Sequence, residues 1–395
     1  MTITPIQTAS TAVTKTKRVP RLTLVLDPGT SCTKAIYCRG RRGQPKYTTM
    51  NSLVYPASLV AAGASFVKLP GDEQYYLVGY SASQSKASVS IKQLKSESLI
   101  PKVLGTIATI AKSESLPSSF KLNIKLLLPI SEMSGRAFIK TELQEALANF
   151  NYSGKDYQVE ATSIEFTSEG RGIHSYLSGL AGNEQINYET CAYLMFGYRN
   201  TSLLLFENGE LNRRSSHSTD LGFYNYLDLV TEYSSGLYRE DIQKAIFTQP
   251  VYGTDLDCKQ VIKGFNSQIR VEDLIRSSSP KHRERERELI DKAITRADAE
   301  YWILLSGWLR EKLPPLNKID RIVYCGGSTS FIETPLKEFF QNWSGSLTDT
   351  SQMSLKMMEK LEIPQVKQKR FIDQHLPIRL ADAWGEFVEM MNIRL

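Results

Sequence analysis

The stretch Arg21-Leu-Thr-Leu-Val-Leu-Asp-Pro-Gly-Thr-Ser-Cys-Thr-Lys-Ala-Ile-Tyr-Cys38 decides how the chain is read. Residues 22–26 are an apolar run rich in β-favouring side chains, and residues 33–38 resume strand-like composition after a turn opened by Pro28-Gly29. The reading is strand, tight turn, strand. Gly29, Thr30, Ser31 and Cys32 carry little bulk, so successive backbone N–H groups can converge on anionic oxygens, with Thr30, Ser31 and Thr33 adding hydroxyl donors. Asp27, at the mouth of the turn, is placed to hold the water shell of Mg²⁺, which keeps most of its waters when it binds nucleotide. Lys34 supplies a balancing positive charge. Asp, Pro, Gly, Thr and Ser are also ordinary turn formers, so this stretch alone reads equally well as a plain hairpin.

Length and composition narrow the alternatives. The 395 residues leave room for two domains or one large fold with two lobes. With 41% hydrophobic and 23% charged residues the composition is that of a soluble globular protein. A net charge of +6 suits an anionic ligand or acidic partner but is too diffuse to indicate nucleic-acid binding. Cys32, Cys38, Cys191, Cys258 and Cys325 are odd in number, scattered and without a Cys-x-x-Cys pair, which argues against a disulfide framework or zinc site and for a reducing compartment, the cytoplasm. No segment approaches the ~20 apolar residues of a membrane span.

Residues 1–20 read as a flexible basic tail without acidic residues, with a transit peptide or a contact to an acidic surface as the functional alternatives. Short strands punctuated by Pro45, Pro56 and Pro70-Gly71 follow, ending in a strand at 75–78, and read as a small inserted sheet. Helical spacing covers 91–112, with Leu94, Val103, Leu104 and Ile107 facing the core and Pro101 expected to split or bend the helix. A strand at 122–128, a helix at 136–149 and a strand at 157–166 come next, and Ser168-Glu-Gly-Arg-Gly172 turns into a further helix. Its glycine pair lacks the third glycine of a dinucleotide fingerprint.

A second hairpin is formed by 192–196 and 202–206, after which Asn208-Gly209 specifies a tight primed turn. Its bend, Phe196-Gly-Tyr-Arg-Asn-Thr201, repeats the logic of the first turn, so the two hairpins read as openings of related halves. Helices are expected at 221–233 and 239–247, and a long helix with one break from Lys281 to about Glu311. The alternating charges at 281–288 read as a solvated helix face rather than a nucleic-acid patch. A strand at 319–324 feeds Cys325-Gly-Gly-Ser328, where two adjacent glycines either admit a flat ligand or simply tighten a strand-to-helix connection. An amphipathic helix, 377–391, carries the small residues Ala381, Ala383 and Gly385, which permit close packing against another helix.

In their order along the chain these stretches resemble the nucleotide-binding segments of the actin superfamily, in particular the plasmid-segregating bacterial actins of the ParM/StbA type. Residues 27–34 resemble the first phosphate loop, Glu169-Gly-Arg-Gly172 the first connecting segment and Gly197-Tyr-Arg-Asn-Thr201 the second phosphate loop. Tyr324-Cys-Gly-Gly-Ser328 resembles the adenosine loop, and Ala381-Asp-Ala-Trp-Gly385 the second connecting segment. The resemblance implies an α/β actin-like fold of two lobes around a nucleotide cleft: a first lobe at 21–188 with a small subdomain inserted at about 40–90, a second lobe at 189–376, and a helix at 377–395 returning to the first lobe. It implies ATP (or GTP) and Mg²⁺ as cofactors. Gly29, Thr30, Ser31, Cys32, Lys34, Gly197, Asn200, Thr201, Gly326, Gly327 and Ser328 would hold the nucleotide. Asp27 would hold the metal through water, and Glu169 would orient the attacking water.

The same resemblance implies self-association into filaments and a small DNA-binding adaptor; no helix-turn-helix with a basic recognition helix is found, so direct sequence-specific DNA binding is not expected. Three departures from the family pattern stand out. Met195 occupies the place of an aspartate two residues before the second-loop glycine, Cys325 that of a third adenosine-loop glycine, and Ser328 that of a small apolar residue at the end of the same loop. Met195 predicts weakened hydrolysis, unless Glu207 or Asp220 reaches the metal instead. Weak hydrolysis would favour a stable cell-shape or cortical filament over a dynamic segregation motor. A small-molecule kinase of the same fold is the alternative from another class, and an interaction protein keeping only the fold is a third. An Hsp70-like chaperone is expected to need a peptide-binding domain, for which 395 residues leave no room.

Overall fold

The computed structural model describes residues 19–40, 43–85, 98–179, 184–234, 236–247, 261–263, 268–363 and 376–393. Residues 1–18 of the basic tail, the expected start of the helix at 91 with Leu94, and Cys258 lie outside the described residues.

The first hairpin forms as read. Strands β1 (Arg21–Asp27) and β2 (Cys32–Arg39) pair antiparallel with Asp27 opposite Lys34. Strand β3 (Lys46–Asn51) adds outside β2. On the other side of β1, β7 (Ser119–Leu128) and β9 (Lys155–Ser168) pair in parallel. The small strands β4 (Val54–Ala57), β5 (Phe66–Lys68), β6 (Tyr75–Val78) and β8 (Phe150–Tyr152) extend this sheet beyond β9, in the order β3-β2-β1-β7-β9-β8-β5-β6-β4. The short helix α1 (Tyr80–Gln84) closes this extension. The inserted sheet therefore also draws on a strand far from it in sequence, β8.

The second sheet repeats the arrangement. Strands β10 (Thr190–Phe196), β11 (Thr201–Glu207) and β12 (Glu210–Thr219) form an antiparallel run. On the other side of β10, β15 (Arg321–Cys325) and β16 (Ser346–Asp349) pair in parallel, giving the order β12-β11-β10-β15-β16. The order β3-β2-β1-β7-β9 has the same pattern of pairing directions, so the halves expected from the two hairpins are repeated as whole sheets. A two-stranded ribbon, β13 (Val261–Lys263) with β14 (Gln268–Arg270), stands apart.

The central strands of both sheets are buried on both faces, which explains their near-continuous apolar composition. In β1, Leu22, Leu24 and Leu26 join an outer core with α2 (Leu99–Ser113) and α3 (Arg136–Ala148), while Val25 faces a different, central core. In β10, Ala192, Leu194 and Phe196 face the other outer core, built with α5 (Phe223–Ser234), α6 (Arg239–Phe247), α7 (Pro280–Lys312) and α8 (Thr329–Phe339); Cys191 and Tyr193 face the centre. The central core is supplied chiefly by α4 (Arg171–Ser178), α9 (Ser351–Lys360) and α10 (Leu376–Met391), which pack against both sheets.

Two expected helix interruptions do not occur. Pro101 falls in the first turn of α2, where a missing N–H costs nothing, so it neither splits nor bends the described helix. Helix α7 runs unbroken from Pro280, with its proline at the favoured first position. Its alternating charges find local partners: Arg283 and Arg287 both pair with Glu272, and Arg285 with Glu288 at 3.3 Å. Asn208 and Gly209 have φ of 52° and 75°, as a primed turn requires.

The two central helices, α4 and α10, touch through their backbones. A Cβ on Gly385 would stand 1.7 Å from the Gly172 carbonyl oxygen, and one on Gly172 would stand 2.0 Å from the Asp382 carbonyl oxygen. Beside this contact Glu386, fully buried, accepts from Lys125 Nζ at 3.0 Å, Thr167 Oγ1 at 3.0 Å and Arg171 Nη1 at 3.2 Å. Arg171 also grips Glu389 with both terminal nitrogens, at 2.9 and 3.0 Å. Removing the Glu386 carboxylate leaves a buried Lys125 and the Arg171 head without it. Glu386→Ala is expected to cost about 3–5 kcal/mol in denaturant unfolding, and Glu386→Gln, which keeps the shape, clearly less.

His174 on α4 is buried against Phe206, ring centroids 4.0 Å apart, with Nδ1 2.9 Å from the Tyr193 hydroxyl. Burial, with Arg171 adding to it, lowers its pKa to about 4. A folded-state pKa below the unfolded value near 6.5 means that the unfolded chain binds more protons in between, so stability present above pH ~6.5 is lost as pH falls towards 4. Thermal midpoints recorded from pH 7.5 to 4.5 should fall less steeply for His174→Gln than for the unsubstituted protein.

Candidate functional site

Four expected site segments lie at the C-terminal ends of parallel strands, where open α/β sheets place ligands. In the first sheet Asp27 ends β1 and Glu169 follows β9, with β7 between them; both carboxylates are buried, at 8% and 7% exposure. In the second, Gly197 follows β10 and Gly326 follows the adjacent β15.

The first turn is held open by side chains rather than by its own backbone. Lys34 Nζ forms an ion pair with Asp27 Oδ2, and both groups lie 3.4 Å from the position a Cβ on Gly29 would take. The same Cβ would meet the Cys32 carbonyl oxygen at 2.7 Å, so only glycine fits there. Ser52 donates to the Gly29 carbonyl and stands 2.9 Å from Thr33 Oγ1. Ser52 is 3% exposed and shapes this turn from just past the end of β3, where Asn51 pairs with Cys32. Sequence reading missed it, because nothing around Asn51-Ser52 marks it as a turn support.

The second turn is closed by Gly197 N–H donating to the Asn200 carbonyl at 2.9 Å, and a Cβ on Gly197 would meet that oxygen at 2.8 Å. The expected ligand residues here point in different directions. Asn200 Nδ2 donates to Ser202 Oγ at 3.3 Å, while the fully buried Thr201 turns its hydroxyl into the lobe to donate to the Leu221 carbonyl at 2.6 Å. Arg199 reaches out of the turn to the other sheet's flank, where Nη2 donates to Glu132 Oε1 at 3.0 Å; both residues are buried. This ion pair joins the second turn to the segment after β7.

Gly326, at φ +100°, brings the glycine loop against β10: its Cβ would stand 2.4 Å from the Phe196 carbonyl oxygen. Ser328 completes the seam, with its N–H donating to Phe196 O at 3.1 Å and its hydroxyl to Gly197 O at 3.2 Å. The glycine loop and second turn are therefore one unit. The first turn meets this unit through Arg379 on α10, which donates to Ser31 Oγ at 3.4 Å and lays its Cγ 3.2 Å from the Cβ position of Gly327.

Asp382 is the residue the sequence reading passed over as a participant. Its Oδ2 accepts from Gly170 N–H at 2.6 Å and Oδ1 from Gly172 N–H at 2.9 Å, so it caps α4 from α10. Burial pushes its pKa well above the ordinary carboxylate range, against the pull of the Gly170 N–H, and the negative charges of Glu386, Asp27 and Glu169 push the same way. Those three carboxyls all lie close enough to Asp382 to act on it electrostatically. The Ala-Asp-Ala-x-Gly spacing was the available signal, since an Asp between small helix-packing residues needs donors from the opposite helix.

Met195 lies within the same neighbourhood. It pairs with Cys325 across the sheet, and its Cε stands 3.7 Å from the Cβ position of Gly170. Of the two carboxylates expected as replacements, Glu207 lies at the opposite end of β11 from the turn, opposite Thr190, and accepts from Asn212 at 2.8 Å. Asp220 is exposed, just past β12. For Mg²⁺, the carboxylate oxygens of Asp27 and Glu169, at the C-terminal ends of β1 and β9, are of the kind that would face a hydrated ion, and among the described residues no trio of His, Cys, Asp and Glu is arranged to bind a metal directly.

No protein-family model matches the sequence, and no curated protein matches it. Solved structures do. ParM of Bacillus thuringiensis with ADP superposes at TM-score 0.55 and 14% identity, over 94% of this chain and 99% of that one. The archaeal actin homologue Ta0583 gives 0.54 and 15%, over 93% and 99%. The filament structure of AlfA from B. subtilis plasmid pLS32 gives 0.51 and 14%, over 93% and 98%. With the paired sheets, the crossed central helices and the turns at the strand ends, these full-length matches establish that the chain has the actin-like fold shared by ParM, AlfA and Ta0583.

Proposed function

We propose that the protein binds a nucleoside triphosphate, ATP or GTP, with Mg²⁺ in the cleft and assembles into filaments. The observation that carries this reading is the convergence of the first turn, the second turn and the glycine loop at strand ends, with Asp27 and Glu169 on one rim. Similarity to proteins solved with ADP, and to AlfA solved as a filament, supports it. Asp27, beside the first turn, would hold the ion's water shell, and the bound ion would neutralise phosphate charge. Glu169 would orient the water that attacks the terminal phosphate. Gly29, Thr30, Ser31, Cys32 and Lys34 would line the phosphates from one side, and Gly197, Asn200, Gly326, Gly327 and Ser328 the nucleotide from the other, while Thr201, whose hydroxyl is turned into the lobe, would not reach it.

Hydrolysis is proposed to be slow. The ion pair with Lys34 offsets the charge of Asp27, Met195 adds no carboxylate, and Glu207 is at the wrong end of its strand. A cytoplasmic segregation filament working through a small DNA-binding adaptor is the leading role. The Arg199–Glu132 bridge joins the second turn to the first sheet's flank by the protein's own groups, which favours a stable cell-shape or cortical scaffold as the second reading.

Electron microscopy of the purified chain with and without Mg²⁺-ATP or Mg²⁺-GTP, with phosphate release followed in the same tubes, is expected to give nucleotide-dependent filaments and slow release. Absence of filaments in every tube would overturn the assembly reading. Met195→Asp, which returns a carboxylate to the second turn, is expected to raise the release rate by about tenfold or more. An unchanged rate would show that Met195 is not what slows hydrolysis.

A further inference from the structure

We propose that the Glu132–Arg199 ion pair is a latch across the cleft, holding the strand-end loops of the two sheets together without ligand and setting the rate at which bound nucleotide leaves. The proposal rests on the nucleotide-binding reading above. It adds a control on exchange built from two side chains to which that reading gives no contact with the nucleotide.

Three observations converge on it. First, the pair lies at the ligand-bearing ends of both sheets. Arg199 belongs to the turn between β10 and β11, and Glu132 follows β7, the strand between β1, which ends in Asp27, and β9, which leads to Glu169. Second, the bridge is anchored at both ends. Gly222 closes on the backbone of Arg199, where an added Cβ would stand 2.2 Å from the Arg199 carbonyl carbon, and the hydrogen bond from Gly197 to Asn200 ties the turn. Glu132 sits in the short helical segment Ile130–Gly135, which packs directly against β12 of the other sheet. Anchored backbones leave only the side chains to stretch, so parting of the strand ends lengthens the 3.0 Å bond. Third, with 10% and 4% of their side chains exposed, both groups are desolvated while the pair is made and are hydrated when the cleft opens. Loss of one partner leaves the other buried and short of a counter-charge, which raises the closed state against the open one whatever the net worth of the intact pair. Burial fixes that sign.

The competing account is that the pair shapes the second turn and has no part in opening. The two differ in whether the molecule changes shape. On the whole chain, below the concentrations that give filaments, stopped flow follows release of a fluorescent Mg²⁺-ADP analogue and small-angle X-ray scattering follows the nucleotide-free shape. Glu132→Gln should speed release by about tenfold or more and give a more open shape without nucleotide. If that variant does not fold, Arg199→Gln, which strands the carboxylate instead, carries the same expectation. Replacing both groups by apolar side chains, Glu132→Leu with Arg199→Met, leaves no charge to hydrate and should return release and shape towards those of the unsubstituted protein.

Faster release with an unchanged shape would make the pair a support of the second turn and overturn the latch. Release and shape both unchanged in the single variant would overturn it while leaving the nucleotide-binding reading intact. A double variant as open and as fast as the single one would also overturn it, because the effect would then not come from a stranded charge. Unsubstituted protein that binds no ADP analogue would remove the nucleotide-binding reading and, with it, the control of release.

Discussion

The backbone contact between α4 and α10 is the constraint on which the rest of the architecture depends. Gly172 and Gly385 allow the two helices to approach until carbonyl and Cα are in contact, a distance no side chain permits. Both sheets pack against this pair through one shared core, so their separation and relative orientation follow from how closely the helices cross. Glu386 fixes the crossing chemically as well as sterically. A fully buried carboxylate is tolerated only with its charges and lone pairs satisfied, and here Lys125 from β7, Thr167 from β9 and Arg171 from α4 satisfy it. Burying such a group favours one register of α10 over its neighbours, since a shift by one residue would strand the charge.

The same crossing organises the cleft. Asp382, a turn before Glu386, caps α4 by accepting from Gly170 and Gly172. The αL conformation of Gly170, at φ 92°, ends the approach from β9 and sets where Glu169 sits. Arg379, a turn earlier still, meets the first turn and the glycine loop. Three polar residues on one helix thus reach strands β7 and β9, the start of α4, and the first turn with the glycine loop. Movement of α10 relative to α4 would alter all three together.

Charge near the cleft is balanced in pairs from opposite elements: Asp27 with Lys34 across the first hairpin, Glu132 with Arg199 between the two sheets' flanks. The second of these has a structural consequence. It docks the second turn against the segment after β7 through buried groups, where an ion pair is strengthened by the low local dielectric and broken only at a cost of several kcal/mol.

Much of this was legible in the sequence. The two hairpins, the strands expected at 122–128 and 157–166 and found at 119–128 and 155–168, the helices expected at 136–149 and 239–247 and the C-terminal helix announced themselves by composition, periodicity and turn residues, because each buries an apolar face whose spacing is fixed by its own geometry. The order of the glycine-bearing turns identified the fold. What the sequence could not carry were elements without such a face. Strand β12, Glu-Leu-Asn-Arg-Arg-Ser-Ser-His-Ser-Thr219, is a polar edge that exists through its pairing with β11, and β16 is a four-residue edge that exists through β15. Nor could it show that Thr201 turns inward, that Ser52 supports a turn, or that Asp382 and Arg379 reach groups hundreds of residues away. The sequence by itself determined the local elements, their order and the small-residue turns, since these follow from backbone preferences and short-range patterning. The tertiary structure alone decided which side chains meet, because contacts such as Glu386 with Lys125 are fixed by the packing of whole helices and sheets.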